Sequence, residues 1–248
     1  IRMLDNGLIY AGGPGLALTW MAAVIDGRPV TPRTGCQVEI NALWYNAVKF
    51  ALEMARLAKD SDFIYDWEPM VQDFPTVFKD TFWSKEIGYL ADYVNGDYKN
   101  FQIRPNMMIA TSLPYSPISE KIRQLILKRT CEELLTDKGI RSLSPNDPEY
   151  KGHYFGNQAA RDAAYHQGTC WIWLLFPFTD GMLAVYQKSA IPVLQRILYK
   201  FDNCMTNYGI STIAEITDGD PPHKPNGCIS QAWSVAALLY MKWRIEHY

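Results

Sequence analysis

The chain has 248 residues, is 48% hydrophobic and 20% charged, and carries a formal net charge of −2. That balance excludes a largely disordered chain, and the near-neutral charge without a basic run argues against a nucleic-acid partner. The length allows one large domain or two small ones.

Residues 1–35 read as irregular. Gly12, Gly13, Pro14 and Gly15 form one flexible loop, Pro29, Pro32 and Gly35 another, and Thr19-Trp20-Met21-Ala22-Ala23 lies between them. Residues 1–18 have neither the charged start nor the apolar core of a secretion signal. The chain opens on Ile1, so a cut in a longer protein is the expected origin. A long helix is predicted over 40–58, where Ile40, Leu43, Trp44, Ala47, Val48, Ala51 and Leu52 recur at helical spacing without Gly or Pro. Further helices are expected over 69–83, 85–94 and 105–112, then from Ile118 to about Leu135, starting near Pro117 or Ser119. Residues 137–168, rich in Gly, Pro, Asp and Asn, read as loop. A nearly all-buried helix is expected over 168–176, and another over 189–206 with Pro192 in its first turn. Gly209 to Ile216 suits a short strand; strand signals are otherwise weak. The last helix is predicted from Ser230 to the end, burying Ala232, Trp233, Ala236, Leu239 and Tyr240.

Cys36, Cys131, Cys170, Cys204 and Cys228 are odd in number and include no CxxC pair, which points to free thiols in a reducing compartment, the cytoplasm. The longest apolar stretch, Trp171 to Phe178, is broken by Pro177 and too short to span a bilayer, so no membrane partner is expected. His153, His166, His223 and His247 lack the spacing of a metal site. Gly12-Gly13-Pro14-Gly15 lacks the Lys of a phosphate loop.

The densest chemistry lies in Ala214-Glu215-Ile216-Thr217-Asp218-Gly219-Asp220-Pro221-Pro222-His223. The prolines and Gly219 forbid a regular helix or central strand there. Crowded carboxylates repel, so they are either solvated or put to use. A carboxylate on a rigid loop can activate water, which is the role considered for Glu215; a solvated acidic turn is the alternative.

Several segments, in order along nearly the whole chain, resemble the amylo-α-1,6-glucosidase part of glycogen debranching enzymes. They are Thr19-Trp20-Met21, residues 27–35 (GRPVTPRTG), residues 39–46 (EINALWYN), Arg104-Pro105-Asn106, Tyr165-His166-Gln167-Gly168-Thr169, residues 215–223 and Gln231-Ala232-Trp233-Ser234. The resemblance implies an all-α, (α/α)6 toroid with its active site among loops at one end, and no cofactor. Twelve helices with loops need more than 248 residues, whereas about seven to nine fit. The chain is therefore expected to be one domain over 1–248, the C-terminal portion of a toroid that is incomplete at its N-terminal end.

The resemblance further implies an inverting hydrolase acting on α-1,6-linked glucose of a branched α-glucan or malto-oligosaccharide. Inversion uses an acid and a base about 6.5–9.5 Å apart with a water between them. Glu215 is then the general base. The acid is an Asp directly after Trp-Met, and that position holds Ala22, so the chain is expected to be almost inactive on glucosides. Asp26, four residues on, is a conceivable but displaced substitute. Sugar contacts are expected from Trp20, Arg33, Glu39, Asn41, Arg104, Asn106, His166, Gln167, Trp173, Asp218, Asp220 and His223, where hydroxyls need polar partners and sugar faces need flat apolar surfaces. Structural roles compete: core packing for Trp44, a helix-start hydrogen bond for His166, a loop brace for His223, and a plain helix start for Arg104-Pro105-Asn106. Of Trp171 and Trp173, two apart on a helix, at most one can line the site. A noncatalytic glucan-binding module, or a trehalase-like or oligosaccharide-processing glucosidase on the same toroid, are the alternatives.

Overall fold

The chain is mostly helical, and its helices are held on one continuous apolar core. The computed structural model describes residues 1–202 and 204–248. Among them are nine helices: α1 (Val38–Ala58), α2 (Ser61–Phe82), α3 (Asn106–Ser112), α4 (Glu120–Glu133), α5 (Gln158–Tyr165), α6 (Leu175–Tyr186), α7 (Ile191–Tyr199), α8 (Cys204–Asn207) and α9 (Ala232–Glu246). Helix α1 covers the predicted range, but its inner face is Val38, Ala42, Tyr45, Val48, Leu52 and Ala55. Of the predicted stripe only Val48 and Leu52 are buried, while Leu43 and Ala47 are exposed. It ends at Lys59, whose left-handed backbone turns the chain directly into α2.

Helix α2 starts eight residues before its expected start, capped by Asp60, whose carboxylate accepts from the Phe63 amide at 3.0 Å. Pro69 and Pro75 lie inside it. Pro69 sits on the solvent face, where the carbonyl it leaves unpaired belongs to exposed Tyr65 and meets water. Phe74, Phe78 and Phe82, four apart, are fully buried, and Tyr45 stacks on Phe74 with centroids 5.1 Å apart.

Helix α3 sits against α1, α4 and α6, and α6 continues onto α9. Gly181 permits that approach, because a Cβ there would lie 2.4 Å from Thr111 Oγ1. Among the described residues, no helix is long and apolar enough to cross a membrane.

Several sequence expectations need correction. Residues 85–94 form no helix. They belong to two hairpins, Trp83–Ser84 with Tyr89–Leu90 and Tyr93–Asn95 with Tyr98–Asn100, turned at Gly88 and Gly96, both at positive φ. Residues 137–168 contain α5, capped by Asn157, and the strand Gly139–Arg141. The helix expected over 168–176 is a strand at Cys170–Trp171, one 3₁₀ turn and the start of α6. The helix expected over 189–206 stops at Tyr199, and at position 203 that expectation lies outside the described residues. The late strand covers only Ile216–Thr217.

Helix α9 starts at Ala232 and buries Ser234, Ala237, Leu238 and Met241, while Trp233 and Leu239 are 43% and 64% exposed. The predicted face is rotated because apolar residues occur on every side between Ala232 and Met241, so their spacing does not mark the inner one. Small Ser234 and Ala237 mark the side that lies on its neighbours.

The weak strand signals hide a five-stranded antiparallel sheet in the order Leu135–Thr136, Gly139–Arg141, Cys170–Trp171, Ile216–Thr217, Pro225–Asn226. Each strand is too short to show an alternating pattern. The sheet matters functionally, since it sets the segment around residue 165 beside the segment around residue 215.

Candidate functional site

Glu215 immediately precedes the Ile216–Thr217 strand, whose partners are Cys170–Trp171 on one side and Pro225–Asn226 on the other. Its amide donates to the Cys228 carbonyl at 3.0 Å. Glu215 is not a solvated acid of an open turn but is largely buried, at 8% exposure. Tyr165 Oη donates to Oε1 at 2.6 Å, Gln231 Nε2 to Oε1 at 3.3 Å, and the Cys228 amide to Oε2 at 3.1 Å. Gly227, at φ 71°, makes room for this, since a Cβ there would lie 2.4 Å from Oε2. Burial and then the Glu215 carboxylate push the Tyr165 hydroxyl well above the ordinary tyrosine range, so it remains a donor. The carboxylate forms part of the wall of an open cleft of about 830 Å³, with Tyr154, Phe155, Arg161 and Tyr208 around it.

Asp218, Asp220 and His223 brace this loop. Asp218 is 8% exposed and accepts from the Tyr154 amide at 2.9 Å and from Asn226 Nδ2 at 2.7 Å. Asp220 accepts from Tyr150 Oη at 2.8 Å. Exposed His153 bridges the two, 3.3 Å from Asp218 and 3.5 Å from Asp220. Burial and then the Asp220 hydrogen bond raise the Tyr150 hydroxyl far above its usual range. His223 folds back, with Nδ1 3.0 Å from the Asp218 carbonyl. Of the three acids, Glu215 alone is in the wall of the described cleft.

Trp20 reaches this loop through a chain of ring contacts. It meets His166, Trp171 and Trp173 edge-on at 5.3, 5.4 and 5.2 Å. Tyr165 in turn contacts His166 and Trp171, both at 4.8 Å. Trp171 is buried and donates to the Tyr165 carbonyl, whereas Trp173 is partly exposed and lines a second hollow of about 420 Å³ with Trp20, Glu39 and Leu43. Only Trp173 of the pair borders open space, although the reason is not a shared helix, since Trp171 stands in a strand and Trp173 in a 3₁₀ turn. Met21 is fully buried beside Arg104 and Asn106, which leaves Ala22 exposed directly after it. Asp26 stands at the tip of the Val24–Ile25/Arg28–Pro29 hairpin with φ 49°.

A buried ion cluster anchors Trp20. Arg33 binds Glu39 in bidentate fashion at 2.5 and 2.6 Å and Asp92 at 2.6 Å. Asp92 accepts from Asn106 Nδ2 at 2.7 Å, and Asn106 Oδ1 accepts from Trp20 Nε1 at 2.7 Å. Burial alone would lower the Arg33 pKa, but Asp92 and Glu39 outweigh it and raise it. Asn41 departs from its expected sugar-binding role. It is fully buried and bonds the backbone of Ile9 and Gln37, which leaves none of its groups for a sugar. Trp44 packs against the core and donates to the Gly7 carbonyl.

Arg104 is 2% exposed and donates to Gln102, Gln167 and the carbonyls of Ser142 and His166. Burial, opposed by Asp92, lowers its pKa to about 10. His166 is 2% exposed and stacked on Trp171, and neither ring nitrogen has a partner among the described residues. Burial first, then Arg104, pushes its pKa down to about 3, so the ring is neutral. Gln167 accepts from Arg104 and Thr31.

Sequence reasoning missed the roles of Tyr165, Gln231 and Asp92. The first two stand inside quoted motifs, and their spacing from Glu215 carried no sign of contact. Asp92 stands in no motif.

The amylo-alpha-1,6-glucosidase family pattern matches residues 1–240. The glycogen debranching enzyme of Saccharomyces cerevisiae is 27% identical over 95% of this chain, which spans 19% of that enzyme's length. Among solved structures, neutral trehalase from Saccharomyces cerevisiae superposes with a TM-score of 0.64 at 13% identity, over 84% of this chain and 38% of that one. The GH63 mannosylglycerate hydrolase from Thermus thermophilus, solved with glucose, superposes with a TM-score of 0.57 at 15% identity, over 84% of this chain and 45% of that one.

Proposed function

The chain belongs to the amylo-alpha-1,6-glucosidase family, and from that membership we propose that it is part of an inverting glycoside hydrolase of the glycogen-debranching type. The observation that carries this reading is the Glu215 carboxylate, buried, fixed by three donors and bordering a cleft. In this reading Glu215 takes a proton from a water as that water attacks the anomeric carbon of a terminal α-1,6-linked glucose. The bond from that carbon to the leaving oxygen breaks on the opposite side, and configuration inverts. Tyr165 and Gln231 hold one carboxylate oxygen, and the Cys228 amide holds the other, which keeps the carboxylate oriented. Trp20 and Trp173 offer apolar faces for the sugar. Arg33, Glu39 and Asn106 act one step back, by setting Trp20. Arg104, His166 and Gln167 support the segment that carries Tyr165, and Asp218, Asp220 and His223 stiffen the base loop.

Ala22 occupies the acid position and has no proton to give the leaving oxygen. General acid catalysis contributes about 10²–10⁴-fold, so hydrolysis of a natural glucoside should be slow. Fluoride needs no such proton. α-Glucosyl fluoride is therefore expected to turn over in the chain as it stands and to lose that turnover in Glu215→Gln. Ala22→Asp should raise hydrolysis of a limit dextrin by orders of magnitude. No gain would remove Ala22 from the acid position; no loss in Glu215→Gln would remove the base.

The exposed Ala22 also favours a second reading, a sugar-binding module without turnover. Calorimetry with malto-oligosaccharide separates the two: binding without turnover in both the unaltered chain and the Ala22→Asp variant selects the module. We read residues 1–248 as one unit of an (α/α)6 toroid, of which the described helices supply part. The five cysteines are free, which fits a cytoplasmic setting.

A further inference from the structure

A third cavity, of about 470 Å³, is bordered by Arg104, which also donates to the His166 carbonyl, and is lined by aromatic and polar side chains together. Tyr93 and Tyr98 stand on one face of the Tyr93–Asn95/Tyr98–Asn100 hairpin as diagonal neighbours, with centroids 5.9 Å apart. Tyr98 is 57% exposed. Phe101, Asp147 and Glu149 also line the cavity. Gln102 ties this lining together, donating to Glu149 at 2.8 Å and accepting from Arg104 at 3.0 Å. Asp147 Oδ2 and Glu149 Oε1 accept no hydrogen bond among the described residues.

The charged lining is Arg33, Arg104, Asp147 and Glu149, and Arg33 is already paired with buried Glu39 and Asp92 behind it, which leaves Arg104 against two carboxylates. The cavity is therefore wrong for an anion. It suits a neutral ligand with many hydroxyl donors and a flat apolar face. The volume falls within the range of about 300–1,000 Å³ common for small-molecule sites.

We propose that this cavity is an accessory sugar-binding site, separate from the cleft at Glu215, which holds glucosyl units of an α-glucan against Tyr98 and Phe101 with hydroxyls donating to Asp147 and Glu149. The choice of an α-glucan among neutral sugars rests on the function proposed above; the chemistry of the cavity does not.

β-Cyclodextrin is the probe, because it lacks the chain end that a terminal-glucose site requires. Titration by calorimetry is expected to show binding to the unaltered chain. Tyr98→Ala and, independently, Glu149→Gln should each weaken it at least tenfold, while Glu215→Gln leaves it unchanged. Melting temperatures of the variants check the fold, and Tyr98, being exposed, is removable without a core defect. No binding, undiminished binding in both cavity variants, or loss of binding in Glu215→Gln would each overturn the proposal. None of these outcomes touches the α-glucosyl fluoride assay, so the two readings fail separately.

Discussion

Glu215 shows how a single residue acquires a role. In a loop of three acids, composition leaves a solvated turn and a held carboxylate equally open. Burial decides against the first, because a carboxylate removed from water needs donors, and this one has Tyr165, Gln231 and the Cys228 amide. A hydrogen bond to a charged group contributes about 1.5–3 kcal/mol, so Tyr165→Phe should lower turnover of α-glucosyl fluoride roughly 10–100-fold, mostly in kcat. An unchanged kcat would remove Tyr165 from the positioning of the base. Gly227→Ala should act on the same carboxylate from the other side. The added methyl meets Oε2, and the left-handed backbone costs about 1–2 kcal/mol with a side chain. Turnover should fall further than the melting temperature alone would explain. The reading of Ala22 rests on the Trp-Met motif before it. Tyr165 was not legible, because its contact with Glu215 joins positions fifty apart.

At the scale of elements, the Arg33 cluster is the joint of the molecule. It links a loop residue, the first turn of α1 through Glu39, the segment before a hairpin through Asp92, and α3 through Asn106. Removing one member of a buried ion pair leaves an uncompensated charge and costs about 3–5 kcal/mol. Arg33→Met is expected to destabilise the chain by that amount in urea unfolding at constant m-value. Asp60→Ala, which removes the exposed cap of α2, should cost only about 1 kcal/mol. Similar costs for both would mean that the cluster is not the anchor it is taken to be. The extent of α1 was readable because residues 40–58 repeat apolar side chains at helical spacing without Gly or Pro, but its inner face was not, since only Val48 and Leu52 of that repeat are buried. The hairpins after α2 were not: strands of two or three residues are too short for alternation, and Gly88 and Gly96 alone mark their turns.

For the whole molecule, His166 couples stability to pH. Its pKa in the fold is pushed down to about 3, against about 6.5 in an unfolded chain. Above pH 6.5 the ring is neutral in both states and contributes no slope. Between 6.5 and 3 the unfolded chain binds a proton that the folded chain refuses, so stability falls with falling pH by up to about 1.4 kcal/mol per unit. Carboxylates add their own slope in that window, so the measurement is a difference. The unaltered chain should lose stability faster than His166→Phe between pH 6 and 4. Parallel curves would show that the ring is hydrated.

By itself the sequence determined the family, the mostly helical class and the extent of the long helices. Each of these is written in local periodicity or in an ordered set of short motifs. The partners of Glu215, the reassignment of Asn41 to the backbone, the buried pairing of Arg33 with Asp92 and the true inner face of α9 follow only from the packed chain. They depend on which side chains distant segments bring within hydrogen-bond reach, and no local pattern encodes that.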